Sequence, residues 1–165
     1  MSRMYVILLA LAGLFPLVEA AGQSDKSLDH LFRSGAGGYH TFRIPAIVTT
    51  TKGTVLAFAE GRKNGASDTG DIDLVMRRSA DNGRTWSDLQ VLWDDGDNVC
   101  GNPAPVVDAQ TGVVFLLSTW NLGRDSEPEI IRQESEDTRR VFVLASADDG
   151  RTWTRPQEIT GDVKK

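Results

Sequence analysis

The sequence predicts an all-β protein made of two four-stranded units of the kind that form the blades of a β-propeller. After the first twenty residues, no segment keeps a 3.6-residue hydrophobic period, and short β-rich runs alternate with turns of Gly, Asp and Asn. The motif SADNGRTW at 79–86 also returns as SADDGRTW at 146–153, identical at seven of eight positions. A repeat of this length indicates one supersecondary unit used twice, and four antiparallel strands per unit indicate a blade.

Eight short runs supply the strands of the two units, four in each. Every run is rich in residues that favour strands and is bounded by turn residues, the pattern expected of an antiparallel sheet. The expected strands are 41–49, 54–60, 71–78 and 88–93, then 104–108, 113–119, 140–146 and 156–159. The blade-like units therefore span about 41–93 and 104–159, within a domain of residues 21–165.

The first twenty residues form an expected signal peptide ahead of this domain. Arg3 gives a basic start, the apolar stretch YVILLALAGLFPLV follows, and VEA before Ala21 fits a small-residue cleavage site. The alternative is a membrane anchor, but a proline and a glutamate interrupt the stretch, which is short for a bilayer span. We therefore expect a secreted, periplasmic or cell-surface protein without stable membrane insertion.

Composition excludes several other classes of function. The net charge is −5 and no basic run occurs, so nucleic acid is not an expected partner. The two histidines, His30 and His40, and the single cysteine, Cys100, do not have the spacing of metal ligands. One cysteine also allows no internal disulfide. We expect neither a metal nor a cofactor.

The repeated turn has a structural interpretation. Its serine and aspartate can accept backbone N–H groups across the turn, its glycine suits a left-handed conformation, and its tryptophan packs as a wedge. We therefore expect Asp81 and Asp148 to stabilise the turns between the third and fourth strands of each unit, rather than to act in catalysis.

One arginine lies inside the first expected strand, HTFRIPAIV at 40–48, whose two faces both look apolar. Removing a guanidinium group from water costs several kcal/mol unless an anion pairs with it. Arg43 therefore needs an acidic partner, which is either a side chain that closes the strand end or part of a ligand.

Four polar residues are expected on one face of the propeller. In an up-and-down blade, the loop between the second and third strands lies opposite the repeated turns, together with the start of each first strand. This arrangement places Arg43, Arg62, Asp68 and Asn102 on the same face. The residues that share this face are the candidates for a functional site.

The chemistry of this set suggests an anionic ligand and an acid. Two neighbouring guanidinium groups need an anion, and a ligand carboxylate suits the forked geometry of arginine better than that of lysine. Asp68 lies in a loop rich in Gly, Ser and Asp, and it would act as a general acid if a partly dry site kept it protonated. The alternative is a structural salt-bridge cluster.

Several motifs together resemble the sialidase (neuraminidase) family of glycoside hydrolases, the bacterial and animal exo-sialidases. They are FRIP at 42–45, LAFAEGR at 56–62, NPAPVVD at 102–108 and the two S-x-D-x-G-x-T-W turns, and the resemblance covers roughly residues 35–160. It implies a six-bladed propeller, of which this chain would supply about two blades. It also implies release of terminal sialic acid from sialylated glycoproteins, glycolipids and oligosaccharides, without a cofactor.

The resemblance implies a role for each candidate residue. Arg43 matches the first of three arginines that hold the sialic acid carboxylate, and Arg62 matches an arginine across the floor of the site. Asn102 matches a position that lines the pocket near C4 and the acetamido group. Asp68 matches the general acid/base, with Asp71 and Asp73 as alternatives that abut or enter the next strand.

The resemblance also implies catalytic groups that this chain lacks. Such enzymes use a tyrosine nucleophile with a glutamate base, because a carboxylate nucleophile would be repelled by the substrate's own carboxylate. Neither Tyr5 nor Tyr39 lies where this nucleophile belongs. We therefore expect an N-terminal fragment of a longer sialidase that is inactive by itself. The alternative function is a non-catalytic propeller that binds glycans or protein partners.

Overall fold

One eight-stranded sheet makes up most of the computed structural model, which describes residues 30–164. It consists of two four-stranded antiparallel units, which we call the first and the second sheet. The expected signal peptide, residues 1–20, lies outside this range. Within residues 30–164, both helices are too short to cross a membrane. The expectation of an all-β, propeller-like fold is confirmed.

The first sheet contains strands β1 to β4 in sequence order, and the second contains β5 to β8. The strands are β1 (Thr41–Thr49), β2 (Val55–Arg62), β3 (Ile72–Ser79), β4 (Gln90–Trp93), β5 (Val99–Val107), β6 (Val114–Asn121), β7 (Arg140–Ser146) and β8 (Gln157–Glu158). One parallel pair, Ile72 with Val99, joins the sheets. Helix α1 (Glu127–Arg132) lies between β6 and β7, and helix α2 (Thr160–Val163) follows β8.

Strand β5 departs most from its expected bounds. It begins at Val99, five residues before the expected start, so the stretch CGNP lies in the strand rather than in a loop. The reason is a bulge between Gly101 and Ala104, which lets Pro103 interrupt the hydrogen bonding without ending the strand. The other strands begin and end within two residues of expectation.

The sequence predicts a long loop at 120–139, between the sixth and seventh expected strands, and helix α1 lies within it. Ser126 precedes the helix, and its backbone N–H donates to the Glu129 carboxylate over 2.9 Å. This is one half of a capping box, so the letters SEPE carried a start signal for a short helix.

Strand β1 is more exposed to solvent than its sequence predicts. Among the described residues it pairs with β2 alone, and it therefore forms an edge of the sheet. A bulge between Arg43 and Ala46 also breaks the alternation, so Ile44 is exposed while Phe42 and Val48 are half-buried. Arg43 is consequently not a buried charge, since its side chain is 43% exposed.

A shared core joins the two sheets. Leu56, Phe58, Leu74 and Met76 of the first sheet cluster with four buried side chains of the second sheet, namely Cys100, Val114, Leu116 and Leu144. Burying a side chain of this size contributes about 1.5–3 kcal/mol. The loops at the sheet ends are therefore held in a fixed relation to each other.

Each repeated turn is closed by its own serine and aspartate, as the sequence indicates. The Ser79 hydroxyl accepts the Gly83 N–H over 2.8 Å, and Asp81 accepts the Thr85 N–H over 2.9 Å. In the second turn, Asp148 accepts the Thr152 N–H over 2.8 Å. Hydrogen bonds from Thr85 lower the pKa of Asp81 to about 2. Those from Thr152 lower the pKa of Asp148 well below its ordinary value.

The two turns differ at one position, and that position determines contact between the sheets. Asn82 is exposed in the first turn, whereas its counterpart Asp149 is buried. The Asp149 carboxylate accepts hydrogen bonds from Thr50, from Thr54 over 2.5 Å and from Arg78 over 2.7 Å, all in the first sheet. Asp149 therefore joins the turn of one sheet to its neighbour.

Candidate functional site

The four candidate residues meet at one end of the sheets, as expected. Arg43 lies in β1, Arg62 ends β2, Asp68 lies in the β2–β3 loop and Asn102 lies in β5. They line a cavity of about 230 Å³, which we call the front cavity. Its lining residues are Arg43, Ile44, Glu60, Arg62, Asp68, Val99, Asn102, Glu127 and Arg139.

Arg62 is the most buried charged group of the front cavity, at 2% exposure. Its Nε and Nη2 atoms donate to Glu60 Oε2 over 3.1 and 2.6 Å. Its Nη1 atom donates to the carbonyl oxygens of Ala66 and Ser67 over 2.7 and 2.6 Å. Arg62 therefore fixes the β2–β3 loop that carries Asp68.

Asp68 is shared by two arginines. Its Oδ1 atom accepts a hydrogen bond from Arg62 Nη2 over 2.6 Å and another from Arg43 Nη1 over 2.9 Å. The hydrogen bond from Arg62 is the main reason why the pKa of Asp68 lies below its ordinary value. Burial, the second-largest effect, opposes this shift, and the charges of Arg62, Arg43 and Arg139 lower the pKa further.

The condition for Asp68 to act as a general acid is therefore not met in this arrangement. The sequence argument required a partly dry site that keeps the acid protonated, but the Asp68 side chain is 64% exposed and paired with two cations. Opposite charges at hydrogen-bonding distance favour the carboxylate, and they outweigh the burial that favours the acid.

The same backbone feature brings Arg43 and Asn102 to the front cavity. Each strand has a bulge at a residue with positive φ followed by Pro-Ala: Ile44 in β1 has φ of 52°, and Asn102 in β5 has φ of 53°. This conformation is unusual for a β-branched residue and costs on the order of 1–3 kcal/mol. The strands therefore keep a strained bend where they approach the cavity.

Asn102 contacts both sheets. Its side-chain amide donates to Thr119 Oγ1 over 2.8 Å, and its backbone N–H donates to Glu60 Oε1 over 2.9 Å. Its position is therefore fixed from the second sheet by Thr119 and from the first sheet by Glu60.

Three further charged residues of the front cavity were missed by the sequence argument. Arg139 precedes β7 and donates to Glu127 of α1 over 3.0 Å, which closes one side of the cavity. Glu60 carried a usable signal, because an acid two residues before Arg62 in a strand lies on the same face. Glu127 and Arg139 come from the long loop, whose path the sequence did not reveal.

Asp71 and Asp73, the alternatives to Asp68, lie outside the lining of the front cavity. Together with Asp94 they place carboxylate oxygens within 4.8 Å of one another, a geometry that could hold a metal ion. The Lys63 ammonium lies 2.9 Å from Asp71, 3.3 Å from Asp73 and 3.2 Å from Asp94. The Lys63 ammonium therefore balances part of the negative charge of this cluster.

Tyr39 contacts this cluster at its buried member, Asp73. Its hydroxyl donates to Asp73 Oδ2 over 2.6 Å. Burial and this hydrogen bond raise the pKa of the Tyr39 phenol well above its ordinary value, and burial raises the pKa of Asp73 as well. The Tyr39 phenol is therefore not activated as a nucleophile.

Comparison with known proteins gives consistent matches. The family model described as a BNR repeat-like domain matches residues 53–164. The chain is 38% identical over 166 residues to an exo-alpha-sialidase of Aspergillus fumigatus, with 90% of this chain and 40% of that protein covered. It is 31% identical over 164 residues to a sialidase of Bacteroides fragilis, with 86% and 29% covered.

A solved structure gives the same result for the fold. The Hadza microbial sialidase Hz136 superimposes with a TM-score of 0.71 at 30% identity, covering 80% of this chain and 28% of that chain. This chain therefore spans 40% or less of the length of these three similar proteins.

Proposed function

Because this chain belongs to the sialidase family, we propose that the whole protein is an exo-α-sialidase that releases terminal sialic acid from glycoproteins, glycolipids and oligosaccharides. The observation that carries this proposal is the convergence of Arg43 and Arg62 on one exposed carboxylate at the front cavity. That arrangement supplies one exposed cation, Arg43, that an anionic sugar can reach, and a second, Arg62, buried beneath it.

In the proposed substrate complex, the carboxylate of sialic acid replaces the Asp68 carboxylate as the partner of Arg43. Sialic acid carries a carboxylate on its reacting carbon, and a guanidinium group binds such a group through two parallel hydrogen bonds. Arg43 is the suitable donor because it is exposed and makes one hydrogen bond to Asp68, over 2.9 Å. Arg62, which is buried and held by Glu60, stays in place as the floor of the site.

This exchange also explains how Asp68 becomes an acid. When Arg43 turns to the substrate, Asp68 loses one of its two cations and gains a neighbouring negative charge. Both changes raise the pKa of a carboxyl group. Asp68 then protonates the departing glycosidic oxygen, and as a carboxylate it later takes a proton from the attacking water.

The nucleophile of the proposed reaction is a tyrosine supplied by another part of the whole protein, with a glutamate as its base. A tyrosine attacks the reacting carbon without the charge repulsion that an aspartate would meet, and the reaction retains the anomeric configuration. The second and third arginines that bind the substrate carboxylate are proposed to come from that other part of the whole protein as well.

The test is turnover of a fluorogenic α-sialoside by the whole protein. We expect release of sialic acid, and no reaction with a matched fluorogenic galactoside, which lacks a carboxylate. Asp68→Asn, assayed with a natural sialoside whose leaving group needs protonation, serves as the control of reduced activity. Binding of sialosides without release would favour the non-catalytic alternative instead.

A further inference from the structure

Glu60 connects the two sheets at the front cavity through a single carboxylate. Its side chain is 3% exposed, and its Oε2 atom accepts both the Nε and the Nη2 groups of Arg62. Its other oxygen, Oε1, accepts the backbone N–H of Asn102 over 2.9 Å. Two residues of the proposed substrate pocket, from different sheets, therefore depend on the same buried group.

Gly101 provides a second, independent observation. A Cβ atom at this position would lie 2.4 Å from Glu60 Oε1, closer than atoms can approach. Gly101 occupies in β5 the place of Arg43 in β1, immediately before the bulge. The second sheet thus has no side chain here, and the Glu60 carboxylate fills the space.

Glu60 also competes with Asp68 for one nitrogen of Arg62. The Nη2 atom lies 2.6 Å from Glu60 Oε2 and 2.6 Å from Asp68 Oδ1. Half of the hydrogen-bonding capacity of this nitrogen is therefore taken by Glu60, and the charge of Arg62 is balanced before Asp68 contributes.

We propose that Glu60 is a positioning residue for sialoside hydrolysis. It fixes the positions of Arg62 and Asn102 relative to each other, and it weakens the electrostatic attraction of Arg62 for Asp68. This role rests on the proposed function of the front cavity. The charged groups around Asp68 are Arg43 of β1, Arg62 of β2 and Arg139 before β7, and Glu60 and Glu127 oppose them.

The first test is Glu60→Gln in the whole protein. The amide keeps the shape but leaves the charge of Arg62 to Asp68 alone, so the pKa of Asp68 falls. We expect the alkaline limb of kcat/KM, where the acid must be protonated, to move down by about one pH unit. At pH values above that limb, the loss in kcat/KM is about tenfold. Glu158→Gln, at an exposed glutamate of β8, is the matched control.

The second test is Gly101→Ala, which displaces the Glu60 carboxylate without removing its charge. We expect a rise in KM as Asn102 shifts, with the alkaline limb unchanged. Gly161→Ala is the matched control, since a methyl group there meets nothing within 4 Å. This variant also keeps the proposal testable if Glu60→Gln does not fold, because wild-type KM in Gly101→Ala contradicts it.

A direct titration separates this proposal from the proposed function. The carboxyl carbon of Asp68, assigned by its loss in Asp68→Asn, is followed by NMR as a function of pH. We expect a lower pKa in Glu60→Gln than in the wild type, whether or not sialoside is hydrolysed. An unchanged pKa refutes the role of Glu60, whereas an inactive wild type refutes the sialidase proposal.

Discussion

Arg43 and Asp68 share a hydrogen bond over 2.9 Å but serve different steps of the proposed reaction. In that proposal, Arg43 holds the substrate carboxylate both before and during bond cleavage, whereas Asp68 transfers protons in the chemical steps and does not hold the substrate. Substitutions at the two positions should therefore change different kinetic constants.

Arg43→Lys tests the binding step. Lysine keeps the charge but loses the two parallel donors, so the substrate carboxylate is held more weakly. We expect KM to rise about tenfold or more while kcat changes little. The matched control is Arg84→Lys, at an exposed arginine of the first repeated turn. An unchanged KM would show that Arg43 does not contact the carboxylate.

Asp68→Asn tests the chemical step. Asparagine has similar shape but no acid proton, so kcat for a natural sialoside should fall by about 10²–10⁴-fold. An activated phenolic leaving group hardly needs protonation, and its release in single turnovers should suffer much less. Equal damage to both substrates would exclude Asp68 as the general acid.

At the scale of single elements, the repeated turns lie far from the chemistry. Ser79 ends β3 and Asp68 precedes its start, so the turn and the site lie at opposite ends of an eight-residue strand, about 25 Å apart. Asp81→Ala and Asp148→Ala should each lower Tm while the kcat of the folded protein stays near normal. A catalytic collapse at unchanged Tm would contradict the structural role.

The single difference between the turns allows a matched pair of substitutions. Asp149→Asn gives the second turn the residue of the first, and removes a charge that accepts hydrogen bonds from Thr50, Thr54 and Arg78. We expect a loss of about 2 kcal/mol in the free energy of unfolding. Asn82→Asp, at the exposed counterpart, should be nearly neutral. Denaturant unfolding measures both, and equal effects would refute the inter-sheet role of Asp149.

The contribution of Asp149 should also depend on pH. Burial raises its pKa, but hydrogen bonds from Thr50, Thr54 and Arg78 outweigh burial and the net pKa is lowered. A depressed folded-state pKa means that the stabilisation is present above the unfolded value, near 3.9, and is lost as the pH falls through the folded value. The Tm difference between wild type and Asp149→Asn should therefore shrink in acid.

The sequence alone predicted those elements that depend on residues close together in the chain. Strand runs and the repeated turn depend on alternation and turn residues, and the up-and-down topology then brought Arg43, Arg62, Asp68 and Asn102 to one end. The start of β5 was missed because a proline normally ends a strand, and the bulge around it depends on pairing with β6. The charge state of Asp68 stayed open because it depends on the distances of this loop residue to Arg43 of β1 and Arg62 of β2.

At the scale of the whole molecule, two sheets leave apolar surface uncovered. Val106 and Phe115 of the second sheet are 54% and 39% exposed, and Ile47 of the edge strand β1 is 67% exposed. Exposed apolar side chains and unpaired strand edges promote association. We expect residues 21–165 produced alone to self-associate, to bind an apolar dye and to hydrolyse no sialoside. Light scattering, dye fluorescence and the fluorogenic assay check this, with the whole protein as the comparison; a monomeric, active short chain would contradict it.

The paired bends at Ile44 and Asn102 have a consequence for how such a protein diversifies. Both strands keep the same φ and the same following Pro-Ala, yet arginine precedes one bend and glycine precedes the other. A duplicated gene segment would pass the bend to each copy, together with the orientation of the bend toward the front cavity. Point mutations at the preceding residue could then give one copy an anion-binding group and the other a space for its neighbour, with no insertion or deletion and no new backbone path.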